Sequence, residues 1–331
     1  MLATFEAANL TQSMYDSNSK GISYTAGFFM VIGFAIAGLF IGTLISIPIW
    51  TAMTGKGILD MKDQLGNPVY SNTFKIIQSI STLSGFFIPA IITAALLNRK
   101  PYRLLGFTKK IQWKQAGLIV AIMLLALFLS TSFGYLNQHI PLSSAWKIRF
   151  QKLEDEYNSQ VQAIMQLRGF PDYLIGLVIM AFLPALCEET LFRGGLQNFL
   201  TRSTQNPWLS IVIVSILFSA VHFSFYGFLP RMFLGIILGL IYYYTGSLWL
   251  SILAHFTNNA IAVSQYYFSK GPSVKQMAQE DTPLSFVYIG LLTIPLIIGL
   301  LIVLKRMSPR ESNDNLPIED LRNKAPWEID G

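Results

Sequence analysis

Five ionisable side chains stand inside stretches of this 331-residue sequence that are otherwise apolar: Glu188, Glu189, Arg193, His222 and His255. The chain has only three histidines, and two belong to this set. The third, His139, reads as a solvated residue near a helix end. Charge inside a membrane-length apolar stretch is costly and marks function by default. Glu189 and Arg193 are spaced i, i+4, so they share one helix face, with the acid on the favourable N-terminal side. That pair neutralises itself. Glu188 points about 100° away around the helix and must find a partner on another helix or keep its proton. One carboxylate therefore reads as structural and the other as poised. Further on, Phe218-Ser-Ala-Val-His222 sets an aromatic ring one turn before an imidazole. His255-Phe-Thr-Asn-Asn259 sets an imidazole and an amide one turn apart, while Asn258 falls off the His255 face. Each pattern alone has a plain structural explanation: a buried histidine bridging helices, or a charge network holding a bundle together. Together, an unmatched carboxylate, two imidazoles and an amide on three helices supply a general base and polar donors for activating water.

Other chemistries fit these residues less well. Glu188, His222 and His255 are of the types that bind zinc, which needs about three protein ligands and an open position. No His-Glu-x-x-His pair accompanies them. The expectation is a site that requires no metal and no cofactor, with zinc as the alternative. Cys187 adjoins Glu188, but successive helix residues point apart, and a buried apolar cysteine is inert. No Gly-rich phosphate loop and no Gly-x-Ser-x-Gly turn is present.

Those side chains need helices to hold them, and the composition says that the helices cross a membrane. The chain is 52% hydrophobic and 13% charged, with mean hydropathy +0.47, whereas a soluble domain carries about 25% charged residues. Disorder, collagen-like repeats and nucleic-acid arms are excluded by the same numbers. The single cysteine excludes an intramolecular disulfide framework. Stretches of about 20 residues suited to spanning occur at Gly21–Gly55, Ile76–Asn98, Gln115–Gln138 and Thr282–Leu304. The region between divides into Tyr173–Leu200, Pro207–Phe223, Leu229–Thr245 and Leu248–Phe268, with an aromatic belt and a tight turn at Gly246. The expected fold is thus an all-α polytopic bundle of eight transmembrane helices. A polar, water-accessible cavity is expected among the fourth, fifth and seventh. Lys75, Lys114, Arg231 and Lys305 sit at span ends, where they can snorkel. Gln151–Leu167 reads as an amphipathic helix on the outer surface, and the tail after Met307 as polar and poorly ordered. The first span lacks a preceding basic segment and does not read as a secretory signal.

Three parts follow: residues 1–171 with three spans and the amphipathic segment, 172–268 with the chemistry-bearing spans, and 269–331 with the last span and tail. The loop Arg99–Lys114 carries six basic residues and no acid, and the last span exits into Lys305, Arg306 and Arg310. By the bias of positive charge toward the cytoplasm, both termini are expected inside a plasma (inner) membrane. The net charge of +6 is then a topology signal and not one for nucleic acid. The expected partners are membrane lipid and a peptide or membrane-protein substrate. Depths along straight helices conflict at one point. His222 falls about 22 Å from the inner end of its span and His255 only about 10 Å from that of its own, unless the fifth span is short, tilted or re-entrant.

Glu188-Glu189-x-x-x-Arg193, Phe218-x-x-x-His222 and His255-x-x-x-Asn259, in this order on separate spans, resemble the three motifs of the CPBP family of CAAX proteases and bacteriocin-processing proteins. That family includes the type II CAAX prenyl proteases. The resemblance covers roughly Tyr173–Phe268. It implies an intramembrane glutamate-type endopeptidase, with a metalloprotease mechanism as the alternative. Carried over, Glu188 is the general base acting on water with His222, and His255 and Asn259 form the oxyanion hole. Glu189, Arg193 and Phe218 support the site. The competing readings are a proton-coupled transporter, because buried Glu and His also build proton relays, and a non-catalytic scaffold or immunity protein.

Overall fold

The computed structural model describes residues 18–65, 67–108, 111–269 and 283–308. The regular elements among them are all helical. They are α1 (Tyr24–Thr54), α2 (Pro68–Leu97), α3 (Pro101–Leu105), α4 (Trp113–Gln138), α5 (Ser144–Ile164), α6 (Phe170–Thr204), α7 (Pro207–Ala220), α8 (Phe228–Thr245), α9 (Leu248–Phe268) and α10 (Leu284–Met307). A short 3-10 turn, Ile58–Gln64, links α1 to α2.

Among the described residues six helices are long and apolar enough to cross a membrane: α1, α2, α4, α6, α8 and α10. The protein is a multi-pass membrane protein. Its outward faces carry large apolar side chains such as Phe29, Phe40 and Leu292, while Ser46, Thr93, Ser132, Ser215 and Ser251 are buried between helices. Two of the eight expected spans fall outside these six. The fifth span ends early: α7 has 14 residues, about 21 Å. The seventh, α9, keeps its expected bounds but carries His255, Thr257, Asn258 and Asn259, which leave it less apolar than the six. The expected tail after Met307 lies outside the described residues beyond Ser308. The amphipathic segment forms α5 and starts earlier than expected, at Ser144.

Small residues let the helices approach closely, as membrane packing requires where lipid is as apolar as the core. On α1, Gly38 and Gly42 sit against Ser84 of α2. On α10, Gly290 sits against Ser132 and the Phe128 carbonyl of α4, and Ser132 Oγ donates to the Val287 carbonyl at 2.8 Å. On α8, Gly235 and Gly239 form a small-x-x-x-small face that packs on Ser215 and Ile211 of α7. One apolar core joins Val31, Ala90, Leu104, Ala185, Phe192, Phe218 and Ile252 across six helices. A second joins α4, α8, α9 and α10.

The basic segments gather at one end of the bundle. Gly106 and Gly246, both with positive φ, turn the chain there, and Leu248 N donates to the Gly106 carbonyl at 3.0 Å. Gln115 Nε2 donates to Ser308 Oγ at 3.1 Å, and Lys305 stands over the Tyr244 ring. Lys20 N donates to the Leu97 carbonyl and Arg99 N to that of Asn18.

Candidate active site

Helix α6 is the spine of the site. It contains two π turns, Leu177–Phe182 and Thr190–Gln197, and the second begins immediately after Glu188 and Glu189. Such wider turns shift side-chain directions and recur at functional positions. Arg193 Nη1 stands 3.1 Å from Glu189 Oε1, with both side chains at 1% exposure or less. The pairing expected from i, i+4 spacing is therefore present. Arg193 also donates from Nη2 to the Gly235 carbonyl of α8 at 3.1 Å, and one turn on Gln197 Nε2 donates to the Gly239 carbonyl at 3.0 Å. The guanidinium lies 4.7 Å over the Phe218 ring.

Helix α9 brings His255 onto this pair. Its Nδ1 lies 2.9 Å from Glu189 Oε1. Because Glu189 also faces Arg193, it is the acceptor and His255 Nδ1–H the donor. Its other ring nitrogen, Nε2, lies 4.0 Å from Glu188 Oε2. Glu188 Oε2 is buried and without a hydrogen-bond partner, while the Glu188 side chain as a whole keeps 15% exposure. Glu188 is thus the unmatched carboxylate, as its helix position implies, and the imidazole of another helix faces it. The link from Glu189 to His255 is not legible in the motif spacing, because helical periodicity says nothing about which neighbouring helix docks on a face.

Phe218 is the hub of the aromatic packing. Its ring meets His222 at 5.2 Å, His255 at 5.7 Å and Phe192 at 5.2 Å, all edge to face. Helix α7 starts at Asn206, whose side chain accepts from Leu209 N, followed by Pro207 at the first helical position. It stops at Ala220, so His222 does not sit on a helix as expected. It sits in the connection to α8, where Phe223 has a positive φ of 51°. The Phe218 ring meets both imidazoles, so His222 and His255 stand together despite their unequal distances along straight helices. His222 Nδ1–H donates to the Phe218 carbonyl at 2.8 Å, which leaves Nε2 of the neutral ring as an acceptor. Irregular backbone at such depth must be covered by protein or line a wet cavity. Here Asn137 of α4 donates to the Phe225 carbonyl and accepts from Leu229 N. Glu154 of α5 accepts from Ser224 Oγ at 2.8 Å, and Phe150 stacks on Phe225.

Asn259 is one turn beyond His255, and its Oδ1 accepts from Asn258 Nδ2 at 3.2 Å. Two span-end cations depart from the snorkelling expectation. Lys75 is only 3% exposed and reaches the Gln166 carbonyl at 3.4 Å, and Arg231 turns inward toward the connection before α8. The reading missed Gln197, Gly235 and Gly239. The Gly235-x-x-x-Gly239 spacing is the signal that marks a close helix contact there. Among the described residues no three His, Cys, Asp or Glu side chains are arranged to hold a metal ion. Two cavities of about 730 and 380 Å³ lie away from this cluster, between α5, the Ile58–Gln64 turn and α2.

A multi-pass helical bundle with a buried cluster of two carboxylates, a guanidinium and an imidazole defines the class. One segment of the chain is similar to a known family. Residues 170–261 match the model of the type II CAAX prenyl endopeptidase Rce1-like family, and that segment contains every residue of the cluster. Two curated proteins are similar over the same length. An uncharacterized 24.3 kDa protein of Escherichia coli is 36% identical over 92 residues, 27% of this chain and 42% of that protein. The uncharacterized protein YpbD of Bacillus subtilis (strain 168) is 31% identical over 96 residues, 28% of this chain and 46% of that protein. The chain spans less than half the length of either relative. No solved structure matches it.

Proposed function

We propose that this protein is an intramembrane endopeptidase in which Glu188 activates a water molecule against a peptide carbonyl. The observation that carries the reading is the division of labour between adjacent glutamates. Glu189 is committed through Oε1 to Arg193 and His255, with its Oε2 unpartnered, whereas Glu188 has no close cation and faces His255 Nε2 at 4.0 Å through an unpartnered oxygen. The Rce1-like match supports the reaction class.

The water gives one proton to Glu188 as its oxygen bonds to the carbonyl carbon, and the carbonyl electrons move onto oxygen. His222 Nε2 is the second acceptor that orients the water. His255 and Asn259 stabilise the oxyanion. The tetrahedral intermediate then collapses, the carbon–nitrogen bond breaks, and the leaving amine takes the proton from Glu188. His255 can donate through Nε2 only as an imidazolium, because Nδ1–H already serves Glu189. The cluster tolerates that form. With Glu188 ionised and His255 protonated, two anions meet two cations. With Glu188 protonated and His255 neutral, Glu189 and Arg193 still cancel. Both forms avoid an unpaired buried charge. They differ by one proton moved between Glu188 and His255, a gap of 4.0 Å that a bridging water spans. The residual exposure of Glu188 supports a water-accessible site among α6, α7 and α9.

The gathering of basic segments at one end of the bundle supports a plasma-membrane orientation with that end, and both termini, cytoplasmic. The substrate is a peptide or membrane protein. The test compares the peptides of cells carrying the wild-type protein with those of cells carrying Glu188→Gln. Peptides that are trimmed only by the wild type, with both proteins inserted at equal levels, are expected. Proton-driven uptake by reconstituted protein without cleavage would make it a transporter. An intact phenotype in both Glu188→Gln and His255→Ala would make it a non-catalytic scaffold.

A further inference from the structure

One cation beside the site has no acid to balance it. Arg231 stands on the first turn of α8, and its Nη1 is buried without a hydrogen-bond partner. The guanidinium carbon lies 4.7 Å from the Tyr157 ring of α5. On its other side is Gly227, where a Cβ would collide with Nη1, Cζ and Nη2 of the guanidinium. The chain thus keeps a glycine at the place where the guanidinium lies on the His222 connection. The acids nearby have other partners: Glu189 faces Arg193 and His255, and Glu154 accepts from Ser224. Among the described residues no carboxylate forms an ion pair with Arg231. The neutral bookkeeping of the four-group cluster therefore leaves one positive charge over, held by a ring and a glycine on the connection that carries His222.

We propose that Arg231 is the substrate-carboxylate receptor of this site, gripping an anionic group that the peptide carries close to the bond that is cut. The inference rests on the endopeptidase reading. A guanidinium presents a planar fork that matches a carboxylate, and a charge-assisted bond in a partly buried setting is stronger than a neutral one. Two sources share that chemistry: the peptide's own C-terminal carboxylate and an Asp or Glu side chain. Arg231 is a specificity-determining residue in this reading. The Tyr157 ring and the Gly227 backbone hold its fork in place.

The test measures binding on purified Glu188→Gln protein in a neutral detergent, which cannot cleave by the proposed route. The probes are three fluorescent hexapeptides of Ala and Leu: one with a free C-terminus, its C-terminal amide, and the amide with one internal Glu. At least one anionic probe is expected to bind about tenfold or more tightly than the neutral amide, and which one it is distinguishes the two sources. Adding Arg231→Gln is expected to erase that preference. Arg231→Lys is expected to keep only part of it, because the charge remains and the fork is lost. Equal binding of all three probes, no binding by any of them, or a full preference in a folded Arg231→Gln protein would overturn the proposal. Should Arg231→Gln not fold, an unchanged preference in Arg231→Lys overturns it. Failure of the peptide comparison between wild type and Glu188→Gln sinks the endopeptidase reading and leaves this binding result standing.

Discussion

Two ion pairs in this molecule have the same length and opposite meanings. Glu189–Arg193 and Lys62–Glu156 both measure 3.1 Å. The first has side-chain exposures of 0% and 1%, the second 39% and 71%. The Lys62–Glu156 pair ties the Ile58–Gln64 turn to α5 in water, where solvent screens it and two long side chains lose entropy to hold it. The Glu189–Arg193 pair sits where neither group can find water, so each depends on the other and on the groups around them. Gly235, Phe218 and His255 complete its surroundings. The lesson is that distance identifies a pair, and burial decides whether its removal is felt.

Five substitutions would break or sharpen that contrast. The largest effect is expected from Glu188→Gln, which keeps shape and removes the base: turnover should fall by about 10²–10⁴-fold, read by peptide cleavage, with thermal unfolding in detergent unchanged. Next, Arg193→Met leaves Glu189 as an uncompensated buried charge and should cost about 3–5 kcal/mol, seen as a large drop in unfolding temperature. Equal stability of this variant and the wild type would remove the basis of the comparison. Phe218→Leu keeps an apolar side chain and removes the ring shared by Arg193, His222 and His255. A loss of about 1–2 kcal/mol is expected, together with reduced turnover. At the bottom, Lys62→Ala or Glu156→Ala should change stability by less than about 1 kcal/mol, and added salt should shrink even that difference. An effect on Lys62→Ala as large as that on Arg193→Met would show that α5 is anchored by charge and not by its packing on the His222 connection.

Much of this was legible from residue order. The apolar stretches became helices because their composition leaves no other way to satisfy the backbone in lipid. The bounds of α9 agree with those read from hydropathy, and the Glu189–Arg193 pair follows from the period of a single helix. The end of α7 was not legible. Val221-His222-Phe223 reads as a continuation of an apolar helix, and only the tie of Ser219 Oγ to the Phe228 carbonyl at 2.6 Å, with the turn at Phe223, ends it earlier. The hydropathy of a short helix and of the apolar loop after it is the same. Arg231 was misread for a related reason. A cation one turn inside a span can reach toward lipid headgroups or toward the protein, and sequence spacing does not choose.

The sequence by itself determined that this is an α-helical membrane protein, that its charges are rationed, and that Glu189 and Arg193 share one face of a helix from which Glu188 points away. Those are local properties, set by composition and by the 3.6-residue period. Only the tertiary structure decided that His255 takes Glu189 and not Glu188 as its close partner, that His222 leaves the helix to stand beside Phe218, and that Arg231 turns inward under Tyr157. Each of these depends on which helices pack together and at what depth. Close packing of small residues on α7 and α8 sets that, and no single helix carries the information.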